Sequence, residues 1–220
     1  MSKILSHEID TLKRDFLSLG ALVEEALKKS IRALETNDVK TAQAVIDADA
    51  VVDQKEVDLE ENCLKILALH QPVAQDLRFI IALLKINNDL ERIGDLACNI
   101  SKRVIFIAET KSNFLPLAFV DMGAKTQVML RKSLDSLVQL SRPLALEVCR
   151  DDDEIDALYR RIFLEVKEEI RRSPENLDTF VNFFSIARFL ERIADYATNI
   201  AEDVIYAVDG EIIRHKKNFY

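Results

Sequence analysis

LERIGDLACNISKRVIF, residues 90–106, and LERIADYATNIAEDVIY, residues 190–206, are one stretch written twice, one hundred positions apart. Leu, Glu, Arg, Ile, Asp, Ala, Asn, Ile, Val and Ile recur in place at 90, 91, 92, 93, 95, 97, 99, 100, 104 and 105. Gly94 is the sole helix breaker in either copy and becomes Ala194 in the second, so both copies read as helix interior. At about 100° per residue, Leu90, Ile93, Ala97, Ile100 and Val104 fall on one apolar stripe. Glu91, Asp95 and Asn99 stand at i, i+4 and i+8, a ladder that drifts by only about 40° per step and is expected to face away from the stripe. Its second copy is Glu191, Asp195, Asn199 and Asp203.

Like charges at i, i+4 repel and cost an exposed helix a few tenths of a kcal/mol. Arg92 and Arg192 lie about 100° round and offset this only in part. A solvated acidic face explains one such run, but its recurrence in the second copy weakens that reading. A hard or borderline cation reverses the energetics, because carboxylate and amide oxygens one turn apart can share a metal. Both readings stay open on the residues alone.

The rest of the chain extends the repeat. Only four Gly and four Pro among 220 residues, with half the chain apolar, describe an all-helical protein large enough to bury a core. The periodicity predicts helices over 2–36, 39–69 and 73–109, then 117–141, 144–171 and 175–207. Ile9, Leu12, Phe16, Leu19, Val23, Leu27, Ile31 and Leu34 form the expected core face of the first helix. Phe119, Met122, Val128, Leu134, Leu137 and Leu140 form that of the fourth. Asn37-Asp38 and Arg142-Pro143 mark equivalent turns. Gln71-Pro72 and Ser173-Pro174 mark another pair, with Pro72 expected to open the third helix and Ser173 to cap the last one. Residues 110–115 are the linker, with Pro116 at the start of the fourth helix, and Asp209-Gly210 is the final stop. The fold expected is therefore two tandem three-helix bundles, residues 1–111 and 112–220.

The second helix of each unit adds a carboxylate pair: Asp49 and Asp53, with Glu56 one turn further, and Asp152 and Asp156. Short connections make helices two and three of each unit antiparallel neighbours. Asp49 and Asp53 can then approach Glu91 and Asp95, and Asp152 and Asp156 can approach Glu191 and Asp195. Four carboxylates from two helices suffice for a polynuclear metal centre, provided the pairs sit at the same height.

A net charge of −8 argues against nucleic acid and suits cations or basic surfaces. Cys63, Cys98 and Cys149 show no CxxC spacing and read as small core residues in a reducing compartment. No signal-like apolar segment opens the chain, and the longest apolar run, Phe79 to Leu84, is too short to span a bilayer. A cytoplasmic protein is expected. No Glu-x-x-His and no Gly-rich phosphate loop occur, which argues against a ferritin-like oxidase and against ATP binding. His7, His70 and His215 are scattered and read as structural or surface residues.

HQPVAQDLRFIIALLKINNDLERIGDLACNI (70–100), LERIADYATNIAEDVIY and DGEIIRH (209–215) together resemble the PhoU family across essentially the whole chain. The resemblance implies tandem three-helix bundles carrying a Glu/Asp-x-x-x-Asp motif that binds metal, in some members as multinuclear iron. Here the motif falls on Asp49/Asp53, Glu91/Asp95, Asp152/Asp156 and Glu191/Asp195, and Fe, Mn, Zn or Mg are the candidate ions. It also implies a non-enzymatic negative regulator of phosphate uptake and of the phosphate-starvation response. Such a regulator acts with the phosphate ABC transporter ATPase and a sensor histidine kinase, is peripheral to membrane complexes, and forms a homodimer or higher oligomer. The alternatives are an accessory protein of a different phosphate or metal transporter, and a metal-dependent hydrolase. The hydrolase lacks an evident base or nucleophile, Cys98 excepted. One departure stands out: Arg103 occupies the place of Asp203, which predicts tighter metal binding in the second repeat.

Overall fold

The computed structural model describes residues 3–110, 115 and 117–213. Six helices follow in order: α1 Lys3–Thr36, α2 Val39–His70, α3 Ala74–Glu109, α4 Leu117–Gln139, α5 Arg142–Arg172 and α6 Leu177–Asp209. A single 3-10 turn, Pro174–Asn176, leads into α6. No strand occurs among the described residues. Most of the expected linker, Pro116 and the tail from 214 onward, including His215, lie outside them.

Local chemistry sets the breaks. Asp38 caps α2 by accepting from the Lys40 and Thr41 amides at 3.0 and 3.1 Å, while Asn37 takes the left-handed conformation (φ 52°). Ser141 Oγ does the same for α5, accepting from Leu144 N at 3.4 Å. Gly210, at φ 75°, ends α6, and its amide donates to Tyr206 O. Two expectations need correction. Pro72 stays outside the helix, because α3 begins at Ala74. Ser173 makes no side-chain cap, because the 3-10 turn separates it from the first residue of α6.

Helices α1–α3 pack as one three-helix bundle and α4–α6 as another. The bundles join chiefly along α3 and α6, with α1 and α4 meeting beside them. This division explains the sequences. Helices α2 and α5 each bury one narrow stripe, such as Val45, Val52, Leu59 and Ile66 on α2. Helices α3 and α6 must face both their own bundle and the other one. They bury a wide face, into which Ala187, Ala194, Ala197 and Ala201 of α6 fit because small side chains permit close approach. One apolar core therefore runs through both repeats, with Phe119 and Phe183 5.6 Å apart inside it. Every α1 core residue expected from periodicity is buried, as are Ile93 and Ile193 at 0% exposure. Val128 is the exception on α4: it is exposed, and Met129 and Leu130 are buried in its place.

The seam between α3 and α6 is also polar at its edges. Lys85 Nζ meets Asp203 Oδ1 at 3.3 Å, Arg103 Nη1 donates to Asn182 Oδ1 at 3.1 Å, and Arg78 Nε donates to Ala207 O at 3.4 Å. Asp203 is buried there, and Lys85 also lies over the Tyr206 ring at 5.3 Å.

Candidate metal centre

The carboxylate pairs lie on neighbouring helices and sense one another's charge. Asp49 and Asp53 on α2 face Glu91 and Asp95 on α3, and Asp152 and Asp156 on α5 face Glu191 and Asp195 on α6. The carboxyls of Asp53, Glu91, Asp152, Glu191 and Asp195 are raised by burial and by neighbouring negative charge. Burial first, then the negative charges of Asp49 and Asp95, raise the Asp53 carboxyl above its ordinary range. Glu91 is raised by burial, by Asp95 and, less strongly, by Asp53 and Glu56, with Arg92 opposing. In the second repeat, burial pushes the Asp152 carboxyl up to about 7, with Asp195, Asp156, Asp153 and Glu191 adding to the effect. Glu191 and Asp195 are likewise raised, burial being the larger cause for both.

Helix packing produces this crowding. Val52 and Gly94 touch where α2 crosses α3. A Cβ on Gly94 would stand a tight 3.3 Å from Val52 Cγ1 and an ordinary 3.9 Å from Asp49 Oδ1, so the missing side chain eases the close approach of Val52 to α3. Cations only partly compensate. Arg92 lies 3.4 Å from Glu91 and 3.6 Å from Asp95, and Arg160 lies 3.2 Å from Asp156, both arginines being largely exposed. Among the described residues, Asp49, Asp53, Asp152, Glu191 and Asp195 form no salt bridge.

Carboxylate oxygens from two helices are the donor type that suits a hard divalent or trivalent cation. Among the described residues, no group of three or more His, Cys, Asp or Glu side chains is placed so that it could hold a metal ion.

The remaining candidates separate. Asn99 is half-buried and Asn199 exposed, each one turn beyond its cluster on the same edge. Asp203 leaves the ladder. Twelve residues beyond Glu191, it has drifted about 120° round the helix and points into the seam. Arg103 also faces α6. The expectation that these two residues bias metal toward the second repeat therefore loses its premise. Cys98 is buried, with Sγ 3.7 Å from Val45 O, and burial aided by a hydrogen bond to Asp49 pushes its thiol up to about 12. A neutral, enclosed thiol is no nucleophile. All three cysteines are buried and unbridged. His70 Nε2 pairs with Glu8 at 2.6 Å, away from the clusters.

Sequence reasoning named Glu56 but passed over the rest of the next rung of each cluster. In the first repeat this rung is Glu56 on α2 and buried Asn87 on α3, whose Nδ2 donates to Glu56 O at 2.8 Å and to Glu56 Oε1 at 3.0 Å. In the second it is Tyr159, whose ring stacks at 5.8 Å on Phe184, together with Arg188, which hydrogen-bonds Tyr159 and faces Glu191 and Asp195. The signal was available in the aligned repeats, where Glu56 matches Tyr159 and Asn87 matches Ala187.

The comparisons with known proteins agree with this architecture. The PhoU domain family model matches residues 16–104 and again 119–204. A phosphate-specific transport system accessory protein PhoU homolog from Aquifex aeolicus is 37% identical, covering 96% of both chains. PhoU homolog 1 of the same description from Thermotoga maritima is 36% identical over 93% of this chain and 88% of its own. The crystal structure of PhoU from Pseudomonas aeruginosa superposes with a TM-score of 0.89 at 35% identity, over 94% of this chain and 99% of that one. Two facing-carboxylate helix pairs, in two fused three-helix bundles matched twice by one domain model, make the chain a member of the PhoU family.

Proposed function

We propose that this protein is an accessory regulator of phosphate transport. It restrains phosphate uptake and represses the phosphate-starvation response by binding the phosphate ABC transporter ATPase and a sensor histidine kinase. The observation that carries this reading is the full-length match, in both repeats, to relatives described as phosphate-specific transport system accessory proteins. No helix among the described residues is long and apolar enough to cross a membrane, which suits a protein peripheral to the transporter. Exposed Phe163, Leu164 and Val181 offer apolar area for partners or for a second copy of the chain in a homodimer.

The carboxylate clusters are the cation sites of this reading. Asp49, Asp53, Glu91 and Asp95 hold one site, and Asp152, Asp156, Glu191 and Asp195 the other, with Fe, Mn, Zn or Mg as candidate ions. A bound multivalent ion supplies positive charge that neutralises the clusters and ties α2 to α3 and α5 to α6. The chain's own residues set the spacing: Gly94 admits Val52 close to α3, and the buried isoleucine stripes face the bundle interior.

The test is genetic and biochemical. Deleting the gene is expected to leave a starvation reporter switched on in phosphate-rich medium, and tagged protein is expected to co-purify the transporter ATPase and the kinase. Normal repression in the deletion strain overturns the regulatory reading. Protein retaining no metal after purification without chelator, and binding none on titration, overturns the metal reading.

A further inference from the structure

Helices α5 and α6 leave an open crease beside the turn that joins them. We propose that this crease is a docking groove for an acidic amphipathic helix of a partner protein. The inference extends the accessory reading above, on which it rests for there being a partner, and is independent of the cation sites.

The groove encloses about 300 Å3 and is lined by five apolar side chains and two cations. Val166 is buried, and Ile170 and Phe184 are half-buried, so these three form its floor. Phe163 and Val181 stand at its edges, 45% and 49% exposed. The Phe163 and Phe184 rings pack 5.5 Å apart, tilted by 58°, which holds the aromatic edge in place. Large apolar side chains left this open in one contiguous patch mark an interaction surface. The volume lies at the small end of the ~300–1,000 Å3 range of ligand pockets, so it takes an anchor side chain or two rather than a whole ligand. A crease between two packed helices is the surface into which the apolar face of a further helix fits.

Charge selects the occupant. Along the same stretch of α5, Arg160, Arg161 and Arg172 pair with Asp156, Glu165 and Glu169 at 3.2, 2.8 and 2.6 Å. Lys167 and Arg171, the two cations that line the groove, form no salt bridge among the described residues. They stand one helical turn apart, so a helix with carboxylates at i, i+4 beside its apolar anchors meets both. The first repeat lacks the whole device: Glu60, Leu64 and Ala68 stand where Phe163, Lys167 and Arg171 stand. An anionic membrane fits less well. Headgroups sense charge over about 10 Å, and Glu165, Glu168 and Glu169 lie on the same helix of a chain whose net charge is −8.

The experiment measures fluorescence anisotropy of three fluorescein-labelled helical peptides with full-length protein. The peptides share Leu and Phe anchors at i, i+4 and differ only in flanking Glu, Gln or Lys. The Glu peptide is expected to bind about tenfold or more tightly than the Lys peptide. Phe163→Ser is expected to weaken the Glu peptide by about tenfold or more, as loss of an aromatic anchor does. Lys167→Glu/Arg171→Glu is expected to invert the order of the Glu and Lys peptides, which structural damage would not do. Far-UV circular dichroism checks the fold of each variant. Binding of no peptide, equal binding of the three, or an unchanged order in the charge-reversed protein overturns the inference. So does binding to phosphatidylglycerol vesicles in place of peptide, or a dimer without peptide affinity that Phe163→Ser dissociates, the occupant then being a membrane or a second copy. None of these results touches the accessory reading, which the deletion strain tests separately.

Discussion

The two carboxylate clusters are built from one sequence motif and stand in one backbone frame, yet they are not the same chemical object. Around Asp49, Asp53, Glu91 and Asp95 the next rung adds Glu56, held by Asn87. Around Asp152, Asp156, Glu191 and Asp195 the next rung is Tyr159 and Arg188, and burial drives the Asp152 carboxyl to about 7. The lesson is that a repeated motif fixes where carboxylates meet, while unrepeated neighbours fix their charge. In a protein whose two halves diverged after duplication, asymmetry of function is therefore to be sought one helical turn outside the motif.

The comparison breaks most severely if the frame itself fails. Ile93→Asp and Ile193→Asp place an unpaired charge at positions with no exposure, so each is expected to cost several kcal/mol and to drop the melting temperature sharply, equally in both repeats. Unequal costs would show that the two frames are not equivalent.

Asp203→Arg comes next. It buries a guanidinium against Lys85 in the seam and is expected to lower the melting temperature clearly while leaving metal affinity at the second cluster unchanged. A large fall in affinity in folded protein would return Asp203 to the cluster.

The third sharpens the second cluster. The folded-state carboxyl of Asp152 lies above its unfolded value, so the folded state holds the proton more tightly. Stability from this group is present at low pH and is lost as pH rises from the unfolded value, about 4, through about 7. Metal-free protein is therefore expected to melt earlier at about pH 8 than at about pH 5, and Asp152→Asn is expected to flatten that slope. Equal slopes in thermal melts of the unmutated protein and Asp152→Asn would contradict the assignment.

The smallest effect is expected from Glu91→Ala and Glu191→Ala in metal-free protein. Removing one carboxylate from a repelling group changes stability by a few tenths of a kcal/mol and in the favourable direction.

Much of this arrangement was legible beforehand. Six helices follow from 3.6-residue periodicity, and Ile93 and Ile193 from the stripe, because burial on one face is a local property of the chain. That Asp53 lies close enough to Asp95 and Glu91 for their charges to act on one another followed from short connections between antiparallel helices. Asp203 and Arg103 were misplaced because their positions depend on how α3 packs on α6, which no single-helix wheel contains. Asn87 was overlooked because a buried asparagine in a helical run looks like any polar interruption until its partner across the bundle is known. Val128 was assigned to the core on hydrophobicity, where Met129 and Leu130 hold that place.

The most direct test of the proposed cation sites on facing helices is the metal content of purified protein after dialysis against limiting Mn2+. Unmutated protein, Glu91→Ala/Asp95→Ala and Glu191→Ala/Asp195→Ala would be compared. The account predicts that each double variant loses one site's worth of metal. Equal retention by all three proteins would contradict it.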